Sequence, residues 1–207
     1  MARLNVAPTK SNYLQLRRNL SFIKEGFDLL NQKREILVIE LMHTVERAKY
    51  IQRAVADRMR EAYEALARAN MALGTFNVKR EALACTFTHE LRITHRRLMG
   101  LDLPTVEAKN QPRTVQGSLG GSSAELDEVI ARFLSALELI AELAQIENSV
   151  WRLARELRKT QRRVNALEKI FIPSYEETIK YIADTLEEKE REAFFLLKLI
   201  KGRLHPT

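Results

Sequence analysis

The chain has 207 residues, 45% hydrophobic and 29% charged, with a formal net charge of +7. A pI near 9.6 admits anionic partners without naming one, and only 7 Gly and 5 Pro favour long uninterrupted helices. The single cysteine, Cys85, excludes an internal disulfide and fits a reducing compartment. The opening MARLNVAPTK lacks the apolar core of a signal peptide, and no run of ~18 apolar residues is present to span a bilayer. These features predict a soluble, cytosolic chain.

The first element is a helix over residues 10–73. Leu16, Leu20, Ile23, Phe27 and Leu30 alternate steps of four and three, and the series continues through Leu37, Leu41, Ala48, Ile51 and Val55 to Ala62, interrupted by Arg34 and Thr44. A spacing averaging about 3.5 keeps one seam facing a partner helix and winds it left-handed. Pro8, Thr9 and Ser11 supply start signals and Gly74 a stop. At ~1.5 Å per residue the helix is roughly 95 Å long.

Residues 75–121 read as a small β insert. In CTFTHELRITH, Cys85–His95, the residues Phe87, Leu91 and Ile93 fall on alternate positions, as in a half-buried strand. Leu103, Val106 and Val115 suit a partner strand or extended chain, and QGSLGGSS is loop.

A second helix follows over 122–201. Ser122 and Glu125 form a candidate capping box ahead of Leu126, Ile130, Phe133, Leu137 and Ile140. Val150, Leu153, Leu157, Thr160, Val164, Leu167 and Phe171 keep heptad steps. After Pro173 the register resumes one residue late at Tyr175, Ile179, Ile182, Leu186, Ala193, Leu196 and Ile200. That skip predicts local unwinding with a kink at Pro173, and Gly202 and Pro206 end the helix. Unbroken, it measures ~120 Å. The fold class is therefore mainly α: two long helices paired antiparallel as one elongated coiled-coil domain, with a β-hairpin-containing insert between them. Neither helix can bury its stripe alone; an intermolecular coiled coil is the alternative.

Catalytic signals are lacking. There is no GxxxxGK[ST] phosphate loop, and Gly117, Gly120 and Gly121 match only turns. His43, His89, His95 and His205 show no metal spacing, and Cys85 near His89 lacks a third orienting group and reads as a packing residue. Glu187, Glu188, Glu190 and Glu192, interleaved with Lys189 and Arg191, read as a solvated face with local ion pairs. No catalytic residue, metal site or cofactor is expected.

The most distinctive feature is a basic band. Arg152, Arg155, Arg158, Lys159, Arg162 and Arg163 set six positive charges against Glu156 alone. Long stems shielding the seam explain such a flank without any ligand. Nucleic acid would want more interleaved aromatics than Trp151, and a membrane-surface role conflicts with a seam that must face another helix. An acidic protein partner remains open.

Several segments resemble one family. RKTQRRVNALEKIFIP, Arg158–Pro173, is similar to the C-terminal helix of the D subunit of the rotary V-type and A-type ATPases. RLNVAPTK, GFDLLNQKREILVIE, RLMGLDLP with Gly100 and Pro104, SSAELDEVIARF and LEEKEREAFFLLKLIKGRL resemble further stretches of that family in order. The match covers both helices, and only residues 76–121 match loosely. The resemblance implies a non-catalytic central-stalk shaft that couples an A/B head, which makes or hydrolyses ATP, to a membrane ion-translocating ring. Its partners would be the A and B subunits, the F subunit and the rotor-ring cap (the d or C subunit), on the cytoplasmic side without membrane insertion. No nucleic-acid partner is expected. Within that frame Arg155, Arg158, Lys159, Arg162 and Arg163 are expected to face acidic loops of the head, set opposite residues 50–60 with Arg53, Arg58 and Arg60. Leu91, Ile93, Gly100 and Pro104 mark an insert contact to F or the rotor side, unless the insert only closes the hairpin of helices. A stand-alone scaffold and a basic nucleic-acid-binding rod are the competing classes.

Overall fold

The computed structural model describes residues 3–84, 90–109 and 123–204. Its elements are α1 (Lys10–Leu73), α2 (Thr75–Ala84), β1 (Glu90–Leu98), β2 (Leu101–Lys109), α3 (Ala124–Ala166), a π-helical turn (Leu167–Phe171) and α4 (Ile172–Leu204). The fold is the expected one, long helices with a small antiparallel hairpin between them. The chain divides into two compact units, Met1–Ile36 with Leu157–Thr207, and Leu37–Glu156.

Local chemistry sets the ends of α1. Thr9 caps its start, its Oγ1 accepting from the Asn12 N–H at 3.3 Å while its carbonyl accepts from the Tyr13 N–H at 3.0 Å. Gly74 ends it with φ +79°, a left-handed conformation in which any side chain would be strained. At α3 the cap is Ser123, whose Oγ accepts from the Leu126 N–H at 3.4 Å. The expected partner of Glu125, Ser122, lies outside the described residues.

In the unit of residues 1–36 and 157–207, α1 runs antiparallel to α4. Lys10 pairs with Glu190 at 2.6 Å and Lys24 with Glu176 at 2.7 Å, so partner numbers fall as α1 numbers rise. Leu16 is buried, and Leu20, Ile23, Phe27 and Leu30 are half-buried, as their spacing predicts. The segment before α1 lies along α4: the Leu4 N–H donates to Thr178 Oγ1 at 3.1 Å, and the Arg3 guanidinium sits 4.6 Å from the Tyr181 ring.

The seam changes character around Pro173. Proline has no N–H to offer the carbonyl four residues back, and its ring crowds that turn. The preceding turn widens, and the Ile172 N–H bonds the Leu167 carbonyl, five residues back. No residue of this turn is buried. Beyond it the buried positions are Ser174, Thr178 and Ile182, whereas Tyr175 and Ile179, expected in the seam, are half-buried. The two buried hydroxyls are satisfied locally: Ser174 Oγ donates to the Phe171 carbonyl at 3.0 Å, and Thr178 Oγ1 to the Ser174 carbonyl at 2.6 Å. Farther on, Ala193, Leu196 and Ile200 are exposed rather than packed, and α4 passes through Gly202 without stopping. The acidic cluster there forms local pairs as expected, Arg191 with Glu187 at 2.5 Å.

In the unit of residues 37–156, α1 again runs antiparallel to α3, with Arg47 on Glu142, Arg132 on Glu61 and Arg68 on Glu128. Leu37, Ile51 and Ala62 are buried and Leu41, Ala48 and Val55 half-buried. The stretch 47–61 thus pairs with residues 132–142. The expectation that the basic band lies opposite residues 50–60 is not met.

Helix α2 was not anticipated within the insert. It docks Val78 against Ala65 and Ala69 of α1 and Leu126 and Val129 of α3. The seam of α3 brings a second correction. Val129, Ala136 and Ile146 face inward, whereas Leu137 and Ile140 are 39% and 37% exposed. Small residues carry the contact here, Ala62, Ala65, Ala69 and Ala136 all being buried. Tyr63 and Phe133 close it with an edge-to-face contact at 5.7 Å between ring centroids.

Candidate partner-binding surfaces

Two surfaces suggested by the sequence can be placed. The first is the basic band. On α3 the seam residues Leu153, Thr160 and Val164 are buried, which turns Arg155, Arg158, Lys159, Arg162 and Arg163 outward, and all five are exposed. Among the described residues none of these five forms an ion pair or hydrogen bond. Arg155 belongs to the unit of residues 37–156 and the other four to the other unit. The basic residues of α1 behave differently: Arg58 pairs with Glu61 at 3.2 Å and Arg60 with Asp57 at 3.0 Å. Cations already matched one turn away have less charge to offer a partner than cations left unmatched.

The second surface is the hairpin. Strands β1 and β2 pair from Glu90↔Lys109 to Leu98↔Leu101, leaving a two-residue turn. Both turn residues have positive φ, Met99 at 50° and Gly100 at 79°, the conformation whose twist matches that of the strands. Gly100 is needed for its backbone rather than for a contact. Pro104, opposite His95, is buried in β2. The hairpin is moored to α3 by two polar side chains. Gln145 Oε1 accepts from the Val106 N–H at 2.7 Å, and Arg152 Nη1 donates to the Asp102 carbonyl at 2.5 Å. Arg96 reaches Glu40 of α1 at 3.5 Å.

Leu91 and Ile93, expected to be half-buried, are 54% and 61% exposed. They line an open groove of about 590 Å³ with His95, Pro104 and Val106, floored by α3 residues that include Ala141, Ala144 and Arg152. Leu103 is the apolar strand residue that is buried. Phe87 and Val115, assigned to the same strands, lie outside the described residues, as do Cys85, His89, His205, Pro206, Gly117, Gly120 and Gly121. The mooring pair was missed in the sequence. Gln145 and Arg152 are seven residues apart, hence on one face of α3, but nothing in their identity names a strand edge as their target.

Ion pairs on the helices shift two groups. The Arg132 guanidinium, with help from Arg68, holds the Glu128 carboxyl below its usual range, while Glu190 raises the Lys10 ammonium. Among the described residues no group of three His, Cys, Asp or Glu side chains is arranged to hold a metal ion, and no helix is long and apolar enough to cross a membrane.

Comparison with known proteins follows the same elements. Residues 12–202 match the sequence model of a family described as the D subunit of ATP synthase. The chain belongs to the ATP synthase D-subunit family. It is 39% identical over 201 residues to the D subunit of the V-type ATP synthase of Thermotoga neapolitana, covering 97% of this chain and 99% of that one. It is 40% identical over 203 residues to the D subunit of the A-type ATP synthase of Desulfurococcus sp., covering 96% and 94%. The D 2 subunit of the V-type ATP synthase of Treponema pallidum is 38% identical over 206 residues, covering 98% and 97%. The D-subunit likeness thus spans both long helices and the hairpin, and the chain is a component of a V/A-type ATP synthase.

Proposed function

We propose that this D subunit is the central-stalk shaft of a V/A-type ATPase, turning inside the A/B head and passing torque to the membrane rotor ring. Its own residues perform no chemistry in this reading. Nucleotide sites belong to the A and B subunits, and the F subunit and the ring cap (the d or C subunit) bind the shaft at the cytoplasmic face of the membrane. The observation that carries the reading is the antiparallel pairing within each unit, Lys10 on Glu190 and Lys24 on Glu176 in one, Arg47 on Glu142 and Arg68 on Glu128 in the other. A helix braced along its length by a second resists twisting, because torsion must shear a buried seam as well as one backbone.

Rotation is linked to catalysis only if each orientation of the shaft interacts differently with the sites around it. The exposed, unmatched cations Arg155, Arg158, Lys159, Arg162 and Arg163 suit such a track against acidic loops of the head. Their attraction extends over roughly 8 Å at physiological salt and does not lock one register as interdigitated apolar knobs would. Leu91 and Ile93 form the lateral contact toward F or the rotor side, presented by the turn at Gly100 and the strand through Pro104. The scaffold and nucleic-acid readings would leave the head subunits unbound.

The test is neutralisation of the band in the reconstituted complex. With about 0.5 kcal/mol for each exposed pair, changing all five to Gln costs roughly 2–3 kcal/mol, about 30- to 150-fold in head affinity. The loss should shrink as salt rises. Unchanged assembly and ATP-driven rotation at low salt would refute the track.

A further inference from the structure

Among the described residues the hairpin has one closed edge and one open edge. On β2 the Val106 N–H and the Asp102 carbonyl are taken by Gln145 and Arg152. Between them sits Pro104, which has no N–H to offer. Residues 102, 104 and 106 therefore direct their backbone groups away from β1. Because the ladder alternates between bonded and non-bonded pairs, their opposite numbers Arg97, His95 and Ile93, with Leu91 two residues on, direct theirs away from β2. Among the described residues nothing bonds the N–H or carbonyl of these four.

We propose that the outer edge of β1 receives an extended strand from a partner chain, one whose side chains alternate between apolar and acidic. The edge dictates the backbone of the occupant. A row of donors and acceptors at strand spacing is matched by another strand, whereas a helix has already used its backbone groups internally. The two faces of β1 dictate its side chains. Leu91 and Ile93 stand exposed along the groove on one face, so every second residue of the occupant is apolar. The opposite face carries Arg92 and Arg96. Arg96 already leans toward Glu40 at 3.5 Å, and Arg92 forms no ion pair among the described residues. The intervening residues of the occupant are acidic. A second copy of β1 fits worse, because antiparallel self-pairing brings Arg92 and Arg96 of both strands onto one face, and like charges across a pair destabilise it. The proposal deepens the hairpin contact described above and rests on that reading only for the existence of a partner.

The test uses the full chain and a fluorescein-labelled octapeptide of alternating Val and Glu, followed by anisotropy and amide exchange. Ile93→Pro removes an outward N–H that takes no part in the ladder, as Pro104 already does across the pair. It should weaken binding at least tenfold with helix content unchanged, while Ile93→Val stays within twofold of wild type. Arg92→Glu leaves the backbone intact and should weaken binding at least fivefold. Amides of Leu91, Ile93 and His95 should exchange at least tenfold more slowly with peptide bound. Absence of binding, equal binding of a Val–Lys peptide, or indifference to Ile93→Pro would overturn the proposal. So would edge amides already protected in the free chain, or a dimer of the free chain that Ile93→Pro dissolves. Assembly with the A/B head is scored separately: a chain that assembles but binds no peptide overturns this inference alone, and one that binds peptide but never assembles overturns the shaft alone.

Discussion

Leu153 has no exposed surface, so Leu153→Ala removes three buried carbon atoms. Fully buried Leu→Ala changes cost about 3–5 kcal/mol, from lost transfer energy plus the cavity left behind. Leu137, on the same helix and in the same compact unit, is 39% exposed. Its truncation forfeits only part of about 1.5–3 kcal/mol of burial and encloses no cavity, giving roughly 1–1.5 kcal/mol. For a chain of this size about 2–4 °C accompanies each kcal/mol, so Leu153→Ala should lower the thermal midpoint by roughly 6–20 °C and Leu137→Ala by roughly 2–6 °C. Urea titrations followed by circular dichroism at 222 nm measure both, and the slope with denaturant should match wild type so that only stability has changed. If Leu137→Ala costs as much as Leu153→Ala, Leu137 lies in the seam and the inward placement of Ala136 is wrong.

Two further outcomes follow from single sites. At the hairpin turn, Gly100→Ala forces a side chain into φ +79° and should destabilise the hairpin by about 1–2 kcal/mol. Met99→Asn, at φ 50°, should protect the ladder amides further; amide exchange over residues 90–109 reads both, and a neutral Gly100→Ala would contradict the turn geometry. Glu128 is held below its usual 4.5, mainly by the hydrogen bond from Arg132. The unfolded chain therefore binds the proton more tightly, and the contribution of Glu128, present above about pH 4.5, is lost as pH falls through the folded value. Thermal melts from pH 6 to pH 3 should show a shallower acid loss in Glu128→Gln than in wild type; parallel curves would remove the pair from the account.

Long-range order was legible wherever one physical pattern dominated. The series from Leu16 to Ala62 is buried or half-buried throughout because its steps of four and three hold one face of α1 toward the paired helix, whereas Phe22, Leu29, Ile39 and Met42, off that face, are exposed. Thr9 and Gly74 act as written because a cap and a left-handed stop depend on the backbone next to them. Where the stripe is broad, from Leu126 to Ile146, period alone could not choose between Leu137 and Ala136. The structure settles it in favour of small residues: Ala62, Ala65, Ala69 and Ala136 are buried, whereas Leu137 is 39% exposed. After Pro173 the seam is shared: Ile182 is buried and Tyr175 and Ile179 half-buried, but hydroxyls bonded to their own helix can be buried at little cost, so Ser174 and Thr178 take buried positions beside them.

The candidate surfaces divide in the same way. The sequence by itself determined that Arg155 to Arg163 would face outward, since a cation cannot occupy a buried seam unpaired. It also determined an alternating strand around Ile93. Only the tertiary structure decided that the band is not opposite residues 50–60, that Gln145 and Arg152 close one edge of the hairpin, and that among the described residues the other edge is open. Those facts depend on which helix faces meet, and that is settled by the summed packing of residues far apart in the chain, which local spacing does not encode.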